Sequence, residues 1–170
     1  MIKFDMNDLK YITHYPKHLQ ESVVKLIENK SLTSYLQKKY PIKHTITNDK
    51  LLYSYVMEFK NSYFKKYQLD KIVYDSKIQV NNALGTHTFI SRVQGGKLKA
   101  KNEIKIANVF KNMPEKFLEM IVVHELSHLK EKEHDKAFYN LCTFLQNDYA
   151  QVEFDTRLYL IHLELFGKIY

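Results

Sequence analysis

Residues 120–134 read MIVVHELSHLKEKEH, and this stretch decides the fold because it places two histidines four residues apart in an apolar frame. On a helix, positions i and i+4 lie on one face, so His124 and His128 can direct their rings at one ion while Glu125 lies beside them. Neutral imidazole nitrogens are zinc ligands, and a nearby carboxylate can take a proton from water that the ion activates. The H-E-x-x-H spacing therefore predicts one Zn²⁺ per chain, with Glu125 as the general base.

Spacing alone does not identify the third metal ligand. His134 follows His128 by six residues, as in the longer motif H-E-x-x-H-x-x-G-x-x-H, but Glu131 replaces the turn glycine of that motif and no Met-turn follows. We therefore expect the charged run 130–133 to end the metal helix and His134 to precede another helix over 135–145. Spacing favours His134 as the third ligand.

Two carboxylates on a predicted last helix, over 149–166, compete with His134 for this position. Glu153 and Asp155 could bind the metal directly. They could also accept a hydrogen bond from the ring nitrogen of a histidine ligand that faces away from the metal. A surface arrangement of Asp155 with Arg157 is equally possible, and the spacing of these residues does not decide among the three roles.

The rest of the chain predicts an α+β fold in a single domain over 1–170. Apolar residues at helical spacing predict helices over 17–29, from Leu32 to the Tyr40-Pro41 step, and from Asn48 through Tyr67. Stretches 71–80, 86–94 and 102–108 alternate as strands, and we expect them to form a small antiparallel sheet with a hairpin at Gly95 and Gly96. The domain would thus be helical over 1–69, a β-sheet over 70–110, and metal-site helices over 112–170, starting with an Asn112 cap.

The composition indicates the cellular compartment and the kind of partner to expect. One cysteine, Cys142, excludes a disulfide framework and a four-cysteine zinc site, and it favours a reducing compartment. No stretch approaches the length of a membrane span, and the N-terminus lacks the apolar core of a signal peptide, so we expect a cytoplasmic protein without membrane partners. A net charge of +7 favours anionic partners, with nucleic acid only weakly indicated.

The hairpin is rich in groups that bind anions. Arg92 is the strongest candidate to stabilise negative charge that develops in a reaction, with help from His87 or Lys97. Two glycines at the turn allow the backbone to approach a substrate closely. The remaining candidates for substrate binding in this segment are Gln94, Gly95, Gly96, Lys99 and Lys101.

Several segments together resemble one known family. They are LKY at 9–11 with YP at 15–16, ALGTHT at 83–88, SRVQGGKLKAK at 91–101, IVVHELSHLKEKEH at 121–134 with KAFY at 136–139, and EFDTRL at 153–158. Along nearly its whole length the chain resembles the YgjP-like metallopeptidase family. The resemblance implies a minimal zincin fold related to SprT-like and WLM domains, with His124, His128 and His134 as ligands and Glu125 as the base. In the broader family an Arg-Trp-Gly-Ser-Cys element precedes the metal helix, whereas here Val93 stands at the Trp position and no Cys is present.

Our leading interpretation is a zinc-dependent hydrolase of metallopeptidase type that acts on a peptide. The resemblance also implies an alternative on the same site, the hydrolysis of a nucleoside triphosphate, UTP, to UMP and pyrophosphate. The basic hairpin favours the nucleotide, whereas H-E-x-x-H beside a sheet edge favours the peptide. A non-enzymatic, zinc-stabilised nucleic-acid-binding module is a third possibility, which the three-ligand site and Glu125 argue against.

Overall fold

The structure, a computed structural model, describes residues 9–80, 84, 93–94, 97–98 and 102–170. The helices in these ranges are α1 (Lys17–Glu28), α2 (Leu32–Lys39), α3 (Asp49–Tyr63), α4 (Glu115–Ser127), α5 (Lys136–Leu145) and α6 (Tyr149–Phe166). The strands are β1 (Lys71–Asp75), β2 (Val93–Gln94), β3 (Lys97–Leu98) and β4 (Glu103–Ala107). The α+β class expected from the sequence is confirmed.

Side-chain caps define where two of the helices begin. The Asn48 side chain accepts a hydrogen bond from the Leu51 N–H at 3.0 Å, which satisfies one of the unpaired donors at the start of α3. The Asp135 side chain accepts from the Phe138 N–H at 3.0 Å in the same way at the start of α5. This second cap matters for the site because it fixes the backbone next to His134.

The start of α4 differs from the expectation. Asn112 does not cap this helix, because it ends a 3₁₀ turn over Asn108–Asn112 and α4 begins after Pro114 without a side-chain cap. A proline disfavours helical backbone in the residue before it, and Met113 is accordingly extended, with φ −115° and ψ 166°. The Met113 carbonyl accepts a hydrogen bond from the His44 N–H at 3.1 Å, which ties this turn to the α2–α3 connection.

The expected antiparallel sheet is wrong in its main pairing. β1 and β4 are parallel, with Lys71 opposite Glu103 and Asp75 opposite Ala107. Parallel neighbours need a long crossover, and the chain between these two strands is long enough to provide one. The hairpin does form an antiparallel pair, but β2 and β3 make a separate two-stranded sheet. β1 also ends at Asp75, before the expected boundary at 80.

The core surrounds α4. Apolar side chains of this helix are buried on every side, including Phe117, Leu118, Val122, Val123 and Leu126, as expected for a helix that is packed all round. It contacts α3, α5, α6 and β4. A helix that is held from all these directions presents its polar side chains in a fixed geometry.

α6 packs along α4 and is likewise mostly buried. It ends at Gly167, whose φ of 84° lies in the left-handed region that glycine adopts without a steric cost. In the ranges that the structure describes, no helix combines the length and apolar character needed to cross a membrane.

Candidate metal centre

α4 and the segment after it bring three histidine rings together. His124 is 7% exposed and His128 is 1% exposed, while His134 lies at the surface just before α5. The Nε2 atom of His124 lies 3.3 Å from Nε2 of His128 and 3.1 Å from Nε2 of His134. One ring nitrogen of each histidine therefore points to a common centre.

The spacing of these nitrogens fits a tetrahedral metal ion. With zinc–nitrogen bonds of about 2.0–2.1 Å, two ligand nitrogens at a tetrahedral angle are separated by about 3.3–3.4 Å. The two measured separations are close to this value, and all three ligand atoms lie within 4.8 Å of one another. Among the described residues, these three histidines form the group whose possible metal-ligand atoms come this close together. Neutral imidazole donors suit zinc and other transition metals.

The other ring nitrogens of His124, in α4, and of His128, the residue that follows α4, are also engaged. Nδ1 of His128 lies 3.0 Å from the Glu131 carbonyl oxygen, and Nδ1 of His124 lies 2.8 Å from the Tyr149 hydroxyl. A hydrogen bond at Nδ1 leaves the Nε2 lone pair for a metal and fixes the plane of the ring. Both partners are uncharged groups, where we had expected carboxylates.

A buried aromatic ring supports all three histidines from one side. The Phe138 ring centroid lies 5.0 Å from that of His124, 4.4 Å from that of His128 and 4.8 Å from that of His134. Next to it, the Tyr139 ring stacks on His134 at 6.2 Å and is 42% exposed. Because Phe138 is fully buried, it keeps this side of the cluster dry.

Glu125 lies between His124 and His128 in sequence and is half-buried. Burial raises the pKa of its carboxyl group to about 8 in the metal-free protein. A nearby divalent cation acts in the opposite direction and favours the carboxylate. A carboxyl group in such surroundings can both accept and return a proton near neutral pH.

Glu153 and Asp155, the two competing carboxylates, do not belong to the group of ligand atoms that lie within 4.8 Å of one another. Glu153 Oε1 accepts a hydrogen bond from Arg157 Nη2 at 2.8 Å. Burial is the main cause of the raised pKa of Tyr139 and of Tyr149, and the charge of Glu153 raises both further. Glu153 is therefore paired with Arg157 and lies close enough to both tyrosines for its charge to act on their hydroxyl groups.

The carboxylate of Asp155, the other candidate on α6, makes its hydrogen bonds away from the three histidines. It accepts hydrogen bonds from Tyr35, Lys39, Tyr40 and Gln151, which lie on α2, at the end of α2 and on α6. Asp155 therefore joins α2 to α6.

The predicted substrate-binding residues fall largely on the hairpin segment. Gln94 and Lys97 occupy strand positions in β2 and β3, and the structure describes their backbone alone. The others lie outside the described residues: His87, Arg92, Gly95, Gly96, Lys99 and Lys101.

Sequence reasoning missed Tyr149 and Phe138. Tyr149 is the first residue of α6, and Phe138 lies in the first turn of α5. Phe138 could have been found from its position, because it follows His134 by four residues at the start of a helix. Tyr149 carries no comparable local signal, since its contact with His124 spans 25 residues.

Comparison with known proteins gives two findings. A family model described as YgjP-like, metallopeptidase domain matches residues 89–155. The chain is 52% identical over 162 residues to the UTP pyrophosphatase of Escherichia coli (strain K12), covering 94% of this chain and 97% of that protein. No solved structure matches.

Proposed function

This chain belongs to the YgjP-like family of hydrolases, and we propose that it cleaves a nucleoside triphosphate, with UTP preferred, to the monophosphate and pyrophosphate. The observation that carries the proposal is the convergence of His124, His128 and His134 beside Glu125, in a chain whose UTP pyrophosphatase relative matches it almost end to end.

We propose zinc as the metal, held by His124, His128 and His134. Among the described residues, three imidazole nitrogens form the cluster without a fourth protein donor. Such a set is typical of catalytic zinc sites, whereas structural sites are usually closed by four ligands. When bound, zinc supplies Lewis acidity that makes water a nucleophile at neutral pH.

Glu125 acts as the general base of the reaction. It takes a proton from the attacking water as the water oxygen bonds to the α-phosphorus. The bond between that phosphorus and the bridging oxygen breaks, and pyrophosphate leaves with the bonding electrons. The carboxyl group can then return its proton to the leaving group or to solvent, for which a pKa near neutrality is well suited.

The hairpin segment supplies the phosphate contacts in this proposal. Arg92 and the lysines at 97, 99 and 101 are cations that can pair with phosphate oxygens, with His87 and Gln94 as further donors. Gly95 and Gly96 allow the backbone N–H groups to approach the same oxygens. This part of the proposal rests on sequence.

Peptide hydrolysis is the second candidate, and the description of the matching family model favours it. The same metal and the same base can activate water against a peptide carbonyl. Nucleotide cleavage ranks first because the relative named for it matches far more of the chain than the family model does.

The test compares zinc-loaded wild type with Glu125→Gln on four nucleoside triphosphates and on an unfolded protein, with products separated by chromatography. We expect UTP to be cleaved fastest and Glu125→Gln to lower kcat by about 10²–10⁴-fold, the usual contribution of a general base. Glu133→Gln is the matched control, because it makes the same change on the exposed segment just before His134.

Two outcomes would overturn the proposal. If wild type with one bound zinc cleaves no nucleotide but cleaves the unfolded protein, the peptide candidate replaces it. If Glu125→Gln keeps full activity while still binding zinc, Glu125 is not the base.

A further inference from the structure

Tyr149 is a buried tyrosine whose hydroxyl meets a histidine of the cluster. It opens α6 and is 1% exposed, and its Oη atom lies 2.8 Å from Nδ1 of His124. The buried thiol of Cys142 donates to the Ser127 hydroxyl at 3.4 Å and lies close enough to Tyr149 to contribute to the raised pKa of its hydroxyl. Nδ1 of His124, the ring nitrogen that faces away from the other two histidines, therefore lies beside neutral side chains of α4, α5 and α6.

The geometry around His124 sets the direction of this hydrogen bond. Nε2 of His124 faces the other two histidine nitrogens at 3.3 and 3.1 Å, so its lone pair must point to the common centre if a metal is to bind there. In a neutral imidazole the proton then sits on Nδ1, which donates to the Tyr149 oxygen.

We infer that Tyr149 is a positioning residue that holds His124 in its Nδ1–H tautomer and thereby raises the metal affinity of the site. The inference rests on the metal site of the proposed function but not on the nucleotide as substrate. Loss of the outer hydrogen-bond partner of a metal-binding histidine typically lowers metal affinity by about 10–100-fold. The equivalent partner of His128 is the Glu131 carbonyl, which belongs to the backbone, so Tyr149 is the partner that substitution can remove.

Tyr149→Phe keeps the ring and removes the oxygen. Tyr159→Phe is a matched control, because Tyr159 is also a buried tyrosine of α6, 2% exposed, and the change removes the same hydroxyl group. Zinc affinity of each apoprotein is measured by competition with a chelator, and its stability by urea unfolding. The ¹⁵N shifts of the histidine side chains report which nitrogen of His124 carries the proton.

We expect Tyr149→Phe to lower zinc affinity by about 10–100-fold and to shift His124 toward a mixture of tautomers, with Tyr159→Phe leaving both unchanged. Unchanged affinity and tautomer in Tyr149→Phe would overturn the inference. So would an equal loss of affinity in Tyr159→Phe, because the effect would then follow general destabilisation. If wild type itself binds no zinc, the metal site fails first, and with it both the proposed function and this inference.

Discussion

The carboxylate of Asp155 is the buried polar link between α2 and α6. Its Oδ2 atom accepts from Lys39 Nζ and from the Tyr40 hydroxyl, each at 2.6 Å. Its Oδ1 atom accepts from the Tyr35 hydroxyl at 2.9 Å and from Gln151 Nε2 at 3.1 Å. The Asp155 side chain is fully buried, whereas that of Lys39 is 39% exposed.

Replacing Asp155 by asparagine is expected to lower the free energy of unfolding by about 2–4 kcal/mol. An amide in place of Oδ2 can no longer accept from Lys39 and Tyr40, whereas Oδ1 keeps its two donors. Hydrogen bonds to a charged partner contribute about 1.5–3 kcal/mol each, so two lost bonds set an upper limit of about 6 kcal/mol. The expected loss of stability is smaller than this limit for two reasons. The Lys39 ammonium group can turn to water, and the Tyr40 hydroxyl can accept a hydrogen bond from the new amide.

Urea unfolding of the metal-free protein measures this change. Asp70→Asn is the control, since Asp70 is exposed and accepts the Asn102 N–H at 3.0 Å, and we expect it to cost less than about 1 kcal/mol. Zinc affinity of Asp155→Asn should equal that of wild type. A loss of stability no larger than in the control would refute the role of Asp155 between the helices, and a loss of zinc affinity without a loss of stability would return Asp155 to the metal centre.

Two further substitutions test the site and the pH dependence of the fold. His134→Ala should lower zinc affinity, measured by chelator competition, by more than about 100-fold. That is more than the loss expected when only the hydrogen-bond partner of a metal ligand is removed. A loss below tenfold would exclude His134 as a ligand. Burial lowers the pKa of His44 from its usual 6.5, and its Nδ1 accepts the Ile46 N–H at 2.9 Å, so protonation breaks this bond. The unfolded chain then binds the proton more tightly, and the stability from His44 is complete above about pH 6.5 and is lost as the pH falls through the folded pKa. His44→Asn should flatten this decline in urea unfolding of the apoprotein from pH 7.5 to 5; an unchanged slope would contradict the assignment.

The helices were predictable because their signals are local. The side chains of Asn48 and Asp135 cap α3 and α5 within three residues, and apolar periodicity marks α1 and α6. The parallel pairing of β1 with β4 was not predictable, because no local sequence signal indicates the direction of a strand that is distant in the chain. The glycines at 95 and 96 predicted a hairpin, and β2 and β3 do pair antiparallel, but β1 and β4 belong to a separate, parallel sheet.

In the site, residues close in sequence were predicted and distant contacts were not. The spacing of His124, His128 and His134 predicted their convergence, which the structure shows. The partner of His124 is Tyr149 on α6, whereas the sequence offered Glu153 and Asp155 of the same helix, either as ligands or as partners of a ligand. At 3.6 residues per turn, Asp155 lies six residues beyond Tyr149 and points about 120° away from it around the helix. Glu153, four residues beyond Tyr149, lies nearly on its face, in keeping with the effect of its charge on that tyrosine.

The most direct test of the account is the hydrolysis of UTP in ¹⁸O-labelled water by the zinc-loaded protein, with products identified by mass spectrometry. Attack of water on the α-phosphorus predicts one ¹⁸O atom in UMP and none in pyrophosphate, and Glu125→Gln should form this product about 10²–10⁴-fold more slowly. Label in pyrophosphate, release of orthophosphate with UDP, or no cleavage of UTP by the wild type with one zinc bound would contradict it.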